Sequence, residues 1–431
     1  MKKYSLGALV AAGLLAGGLT ASSASAADLG GNCCADLEER IAELEATTAR
    51  KGNRKVSLTI SGWVAEQVMW WDDGQETNTY VGGIGTTLGS HFKVTGQATI
   101  APGWSAGYVL HVEVDGSDSL TWNADNKTGV GVYGGTGNYV QALQSFWFIK
   151  SDHLGKVSVG QQSQASDNTA ILVDGSGSLV PANWVAFDVN NFDRKLSGGG
   201  SVGTWGGAGS CAGMGGAWGD CNGLTQNVVR YDSPTYAGFS VSASWGADDM
   251  WDVAARYAGE AGGFKVATAA AYTEVNDGHY NSGAGGGSGV DVDADYFQVG
   301  GYVEHVATGV FIYGAYGLLD NHLSPVAEDQ VENYYIKAGL RERWTPLGHT
   351  VLYGEYLKNN DGAAVGDNCT LGNVSCTSSD LDVWGAGIVQ EIDAAAMSMW
   401  VKYRHLQFDD NVAAQNYEDF NQVSFGALIN F

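Results

Sequence analysis

The sequence predicts an all-β chain, a closed 16-stranded antiparallel transmembrane β-barrel, and three observations carry that prediction. Beyond residue 26 no apolar run is long enough to cross a membrane as a helix. Instead, segment after segment alternates: Phe92, Val94, Gly96, Ala98 and Ile100 interleave with Lys93, Thr95, Gln97 and Thr99, and Val423, Phe425, Ala427, Ile429 and Phe431 interleave with Gln422, Ser424 and Asn430. A strand with one apolar and one wet face, repeated around a closed ring, satisfies every backbone group in lipid while enclosing water. Composition agrees: 63 Gly and only five Pro suit turns and loops, and 14 Trp with 20 Tyr exceed what a soluble core needs. A large soluble β-barrel shares the alternation and is the competing reading.

The elements follow in chain order. Lys2 and Lys3, the apolar stretch from Leu6 to Leu19 and the small residues Ala24-Ser25-Ala26 make residues 1–26 a secretory signal peptide. Its removal takes two lysines and no acid, so the formal charge of −25 becomes −27. An exported chain this acidic has no reason to bind nucleic acid. Residues 27–54 form a periplasmic segment. Within it Asp36 and Glu39 make a capping-box-like start, Leu37, Ile41 and Leu44 repeat at coiled-coil spacing, and Gly52 ends the short helix. Two heptads are marginal alone, so this is either a small bundle formed by three subunits or a plain linker. Ala27-Asp28 is a candidate tether point for peptidoglycan.

The barrel occupies residues 55–431, with strands expected near 56–71, 88–101, 104–115, 139–151, 156–164, 225–233, 239–245, 251–259, 264–274, 295–305, 310–319, 332–343, 349–358, 381–392, 396–408 and 420–431. An even count suits antiparallel closure. Connections alternate between short turns, such as Ala101-Pro102-Gly103 and Thr345-Pro346-Leu347-Gly348, and longer Gly- and Asp-rich loops, the arrangement of a bacterial outer-membrane barrel with long loops outward. Trp70, Trp71, Trp104, Phe239, Trp245, Tyr302 and Trp344 are expected in the two aromatic girdles at headgroup depth.

A basic side chain facing lipid at mid-bilayer costs roughly 2–4 kcal/mol, so basic residues within strands should point inward. Lys93, Arg230, Lys337, Arg341, Lys402 and Arg404 all fall opposite the apolar set of their strands, which gives the lumen a basic stripe. The longest loop, about 165–224, is the third on the long side, and an insert of that length is usually functional. Its first half mixes apolar anchors with Asp167, Asp174, Asp188 and Asp193; its second half, from Ser197, is mostly glycine and is expected to lie loosely outside. Folded inward, the acids would face the basic wall across a constriction and create a transverse field that sorts solutes. The other reading is a solvated loop whose acids only keep the surface soluble.

Several stretches in order resemble one family: Asp36-Leu37-Glu38-Glu39-Arg40-Ile41 through Val56-Ser57-Leu58-Thr59-Ile60-Ser61-Gly62, then Gly160-Gln161-Gln162, Asp167-Asn168-Thr169-Ala170, Tyr231-Asp232-Ser233-Pro234 and Val389-Gln390-Glu391-Ile392-Asp393. Together they resemble the trimeric porins of alphaproteobacteria, of the rhizobial and brucella type, over essentially the whole mature chain. The resemblance implies a sixteen-stranded barrel, a homotrimer, an inward-folded third loop and passive diffusion of small hydrophilic solutes and ions across the outer membrane. It also implies that the terminal aromatic Phe431 belongs to the signal read by the assembly machinery. The loops depart most from the family pattern, notably after Ser197, so pore size and ion preference do not carry over.

Six cysteines in an exported chain predict disulfides. Cys211 with Cys221, and Cys369 with Cys376, each sit within one outer loop at separations that favour local pairing, and adjacent Cys33 and Cys34 offer bonds between subunits. The eight His are scattered and none accompanies a nucleophile motif, so catalysis is not expected, and no cofactor motif is present. Asp291, Asp293 and Asp295 resemble half a calcium loop but lack its glycine and distal glutamate; they are either a simple acidic loop or a loose divalent site bridging to lipopolysaccharide. Within transport, a substrate-specific channel is the alternative, with Trp184, Trp205 and Trp218 as a stacking track. A structural or adhesive envelope barrel is the third reading.

Overall fold

The computed structural model describes residues 56–114, 116–126, 140–209, 225–246, 250–279, 291–323, 329–365, 369–370, 374–412 and 416–431. The leader, the coiled-coil-like segment, Cys33, Cys34, Cys211, Cys221 and Trp218 fall outside the described residues. Sixteen staves form the wall, in chain order: β1 (Thr59–Asp72), β2 (His91–Ala101), β3 (Trp104–Val114), β4 (Val140–Ser151), β5 (Gly155–Gln162), β6 (Gln226–Asp232), β7 (Phe239–Gly246) and β8 (Trp251–Ala261), followed by β9 (Phe264–His279), β10 (Asp291–His305), β11 (Val310–Asn321), β12 (Gln330–Thr345), β13 (Gly348–Asn360), β14 (Ser379–Ile392), β15 (Met397–Asp410) and β16 (Phe420–Asn430). Each pairs antiparallel with its sequence neighbour, and β1 closes the ring against β16 from Trp63↔Asn430 to Asp72↔Asn421. No strand edge is left open to lipid along this ring.

The second stave is spliced. The lower part of β1, Thr59 to Trp63, pairs with β2, while its upper part, Gln67 to Asp72, pairs with a short separate strand, Thr77–Gly82. Between them residues 83–89 leave the ladder and are buried. Ser90 Oγ fills the breach, accepting from Ala65 N (3.0 Å) and donating to Ala65 O (3.3 Å). The backbone groups of the interrupted ladder thus keep partners.

Period-2 alternation sorts the side chains. Val64, Val68, Trp104, Phe239, Trp245, Ile336, Trp344, Val401 and Phe425 are exposed on the outer face, whereas Gln67, Lys337, Arg404, Gln422 and Ser424 are buried on the inner one. Two of the expected girdle residues are on the wrong side: Trp71 and Tyr302 point inward and are buried. Trp70 and Trp71 are consecutive, so only one can face lipid; Trp71 instead packs edge-on against Tyr80 and Phe192. Tyr302 donates to Glu304 Oε2 (2.6 Å) inside the wall. Strands β9 and β10 also run longer than expected, pairing upward through Glu274↔Asp295 to His279↔Asp291. There His322 Nδ1 lies 2.7 Å from Asp293, so the chain supplies its own partner to one carboxylate of the half-calcium-loop motif.

Cys369 and Cys376 form a disulfide within the loop between β13 and β14, as their spacing predicts, and both are buried. This closes a short loop and limits its unfolded freedom.

Candidate functional site: the third loop and the inner wall

The loop between β5 and β6 folds into the barrel and follows the inner wall. Its apolar residues explain why it enters: Ala170, Ile171, Leu179, Val185, Phe187, Val189 and Phe192 are all buried in one cluster with inward residues of the staves. Burying such side chains offsets the ordering cost of a long insert. Its regular pieces are short: one helical turn at Leu179–Ala182, a 3-10 turn at Val185–Asp188, and a small hairpin of Asp193–Lys195 with Ser201–Thr204.

Polar contacts then fasten the loop to stave after stave. At its neck Arg230 on β6 donates to Ser163 O (2.9 Å) and Gln164 O (3.0 Å), and Arg256 on β8 donates to Ala165 O (2.5 Å) and Thr169 Oγ1 (2.9 Å). Asp252 on β8 accepts from Ser166 N (2.7 Å) and Ser166 Oγ (2.5 Å). Gln298 on β10 clamps the next turn with both ends of its amide, accepting from Ala170 N and donating to Ser166 O, each at 2.8 Å. Tyr313 on β11 donates to Ala170 O (2.8 Å).

Further along, charge takes over. Lys337 on β12 donates to Asp174 and to Ser178 Oγ (2.9 Å), and the Lys337–Asp174 pair is fully buried. Asp174 also accepts from Asn183 Nδ2 (2.8 Å). Asp188 collects four donors from three staves: Lys402 Nζ (2.5 Å) and Arg404 Nη1 (3.4 Å) on β15, Gln422 Nε2 (3.2 Å) on β16 and Gln67 Nε2 (2.8 Å) on β1. Arg404 is itself shared, giving Nε to Glu355 Oε1 on β13 (2.8 Å) and Nη2 to Ala182 O (2.5 Å). Burial alone would raise the Asp188 carboxyl; Lys402 and Arg404 outweigh it and hold the group below the usual carboxylate range.

The basic wall residues therefore divide. Lys337, Lys402 and Arg404 touch the loop acids Asp174 and Asp188 directly, sealed from solvent, where the sequence expectation placed such charges across an opening. Arg230 pairs with Asp232 (2.7 Å) and Arg341 forks onto Glu391 (both 2.9 Å), partners within the wall itself. Lys93 and Asp167 lie on opposite sides of a narrow cavity between wall and loop. Asp193 is half-exposed on the hairpin, 3.8 Å from Lys195, away from the basic wall.

The second half of the loop corrects an expectation. Its described part does not all lie loose: the hairpin turn at 197–201 is exposed, but Ser197 N donates to Asn416 O (2.9 Å), Leu196 bridges Tyr417, and Trp205 is buried against Phe420. Trp205 is thus an anchor in the loop's core, where the stacking-track reading placed it in the pore. Arg194 reinforces this end, sitting 3.9 Å above the Phe408 ring and donating to Val202 O (3.0 Å).

Sequence reasoning missed Arg256, Gln298, Tyr313 and Glu355. Arg256 carried a signal, since Trp251, Val253, Ala255 and Tyr257 around it alternate outward. Gly300 is required for a different reason: a Cβ there would lie 2.1 Å from Ala170 O. Gly300→Ala is expected to push the loop off β10, lowering heat resistance and increasing current noise in single-channel recordings. Unchanged values for both would show that the loop is not held at this stave.

No curated protein matches the chain in sequence. Among solved structures the fold is similar to an anion-selective porin from Comamonas acidovorans, at TM-score 0.53 and 16% identity over 87% of this chain and 100% of that one. It is also similar to OmpF of Salmonella typhi, solved in complex with daunomycin, at 0.52 and 14% over 88% of this chain and 98% of that one. The outer membrane channel DcaP of Acinetobacter baumannii gives 0.51 and 11% over 89% and 100%. At such identities the likeness concerns the fold. The family profile described as Gram-negative porin matches residues 8–428, nearly the entire length. With a closed sixteen-stave wall, an apolar outer face and a loop strapped inside, the chain belongs to the Gram-negative porin family, whose members form outer-membrane channels.

Proposed function

We propose that this porin passes small hydrophilic solutes and ions by passive diffusion, as a homotrimer, through a lumen narrowed by the third loop. The observation that carries this reading is the loop's course: it is fastened in turn to β6, β8, β10, β11, β12, β15, β16 and β1, narrowing the barrel with a fixed ledge. A ledge held by buried ion pairs keeps a constant aperture, which a diffusion pore needs and a gated transporter does not. Asp174 and Asp188 with Lys337, Lys402 and Arg404 are then the supports of the constriction, while Asp167 and Lys93 line the narrow cavity between loop and wall.

The finer identity rests on the motifs that resemble alphaproteobacterial porins, and with it come the signal peptide of residues 1–26, the periplasmic segment 27–54 and the barrel 55–431. Lipopolysaccharide around the outer loops and a peptidoglycan tether near Ala27 belong to the same reading. Single-channel recording of the purified protein in a planar bilayer under a salt gradient tests it. Conductance closing in three equal steps, with weak selectivity, is expected; its reversal potential gives the ion preference. A silent barrel would favour an envelope anchor, and saturable block by one sugar would favour a substrate-specific channel.

A further inference from the structure

We propose that the cavity between the inner wall at His111 and the loop residue Trp184 binds a small monovalent oxyanion that carries its own hydroxyl, of the dihydrogen phosphate or bicarbonate kind. This deepens the diffusion-channel reading and rests on it: the cavity would be the point where the lumen recognises what passes.

Three independent features converge there. The first is composition. His91 and Lys93 on β2 and His111 on β3 line the wall side, and Asp167, Asn168 and Trp184 line the loop side of a cavity of about 40 Å³. The His91 and His111 rings meet edge to face at 4.2 Å, and Lys93 stands directly opposite His111 in the strand register.

The second is backbone strain. Six non-glycine residues among those described hold a positive φ, and three of them border this one cavity: Thr87 (78°), Asn168 (46°) and Trp184 (53°). A β-branched residue and a bulky aromatic are poor occupants of the left-handed region, at about 1–3 kcal/mol each, and such strain gathers where a site is pre-organised.

The third is unmet hydrogen bonding. Both ring nitrogens of His111 and Nε1 of Trp184 are buried without a protein partner, in residues only 3% and 2% exposed. Each such group costs about 1–3 kcal/mol unless solvent or solute satisfies it.

These groups specify the ligand. Trp184 Nε1 only donates, a neutral His111 offers one donor and one acceptor nitrogen, and the Lys93 ammonium beside them adds positive charge. The occupant must therefore accept two hydrogen bonds and also give one, beside a cation. Chloride and acetate accept but cannot give; a metal cation is repelled by the ammonium and the indole N–H. Asp167 across the cavity disfavours a second negative charge. One water needs about 10–15 Å³ of such space, so the cavity holds about three waters or one ion of four or five heavy atoms.

The test uses the full-length channel in planar bilayers. Chloride current is measured as phosphate is added below its second ionisation, then as bicarbonate and acetate are added in separate series. A saturable fall in current is expected with phosphate or bicarbonate, the lower half-saturating concentration naming the source. Acetate should need about tenfold more, the worth of one hydrogen bond. Trp184→Phe keeps the ring and removes the N–H, and should weaken the effect about tenfold while chloride still flows. Titration calorimetry of phosphate into the folded detergent-solubilised protein gives the same comparison without conductance, so a silent channel would overturn the diffusion reading while still deciding this one. No saturation with either ion, equal action of acetate, or an unchanged Trp184→Phe channel would each overturn the proposal and leave the diffusion pore standing.

Discussion

Asp188→Ala is expected to release the loop from the far wall and to destabilise the barrel by about 3–5 kcal/mol, the cost of leaving buried cations uncompensated. The variant strands Lys402 and Arg404 inside the protein and removes the acceptor of Gln67 and Gln422 at once. Among the described residues no other loop side chain accepts hydrogen bonds from β1, β15 and β16 together, so the ledge loses its polar support on that side. Single-channel conductance should rise and become noisy, and the urea midpoint of the folded protein in detergent should fall. A barrel of unchanged conductance and midpoint would mean that Arg404's bonds to Pro181 and Ala182 suffice.

The same carboxylate gives a pH dependence whose sign is fixed. A carboxyl held below its unfolded value contributes stability that is present above that value, about 3.9, and is lost as pH falls through the folded one. The wild-type loop should therefore stay seated through mildly acid solution and loosen only below the ordinary carboxylate range. In Asp188→Asn that acid-dependent step should disappear from the conductance profile, and a step that survives would belong to another carboxylate.

How much of this the sequence discloses depends on which constraint acts on each residue. Lipid penalises charge so strongly that parity alone turns Lys337, Lys402 and Arg404 inward, and the strand spans are readable because period-2 alternation persists over whole staves. The same rule read more strictly would have placed Trp71 inside, since its neighbour Trp70 already faces out, and would have found Arg256. What parity cannot give is the partner across the lumen. Lys337 meets Asp174 and Lys402 meets Asp188 over separations of 163 and 214 residues, a matter of how the loop lies and not of local pattern. Gln298 and Tyr313 have no charge to betray an inward role. The spliced second stave is hidden for a related reason: its upper half, Thr77–Gly82, is too short to announce itself, and residues 83–89 between the halves are apolar and glycine-rich without period.

The Lys337–Asp174 pair should show a large coupling. Both side chains are fully buried, and neither has water to fall back on. Lys337→Met leaves the carboxylate with Asn183 and the Ser176 amide, which are neutral donors; Asp174→Leu leaves the ammonium with the Ser178 hydroxyl and the faces of Tyr313 and Tyr353, at 5.5 and 5.6 Å, and no anion bonded to it. Each single change is therefore expected to cost about 3–5 kcal/mol. The double variant removes both charges together with their desolvation penalty, and its cost should be well below the sum, because an apolar pair of similar volume replaces an ion pair at little net expense. Urea unfolding of the four proteins in one detergent measures the coupling directly. Strict additivity would mean that the loop has already left the wall in the single variants, so that nothing remains for the second change to relieve. A double variant that regains the wild-type midpoint but conducts with altered noise would separate the two roles of the pair, stability and the fixing of the ledge. That separation is expected, since Tyr335 still donates to Ala182 O at 3.0 Å on the same stave and keeps the loop near the wall without fixing the position that the charged pair dictates.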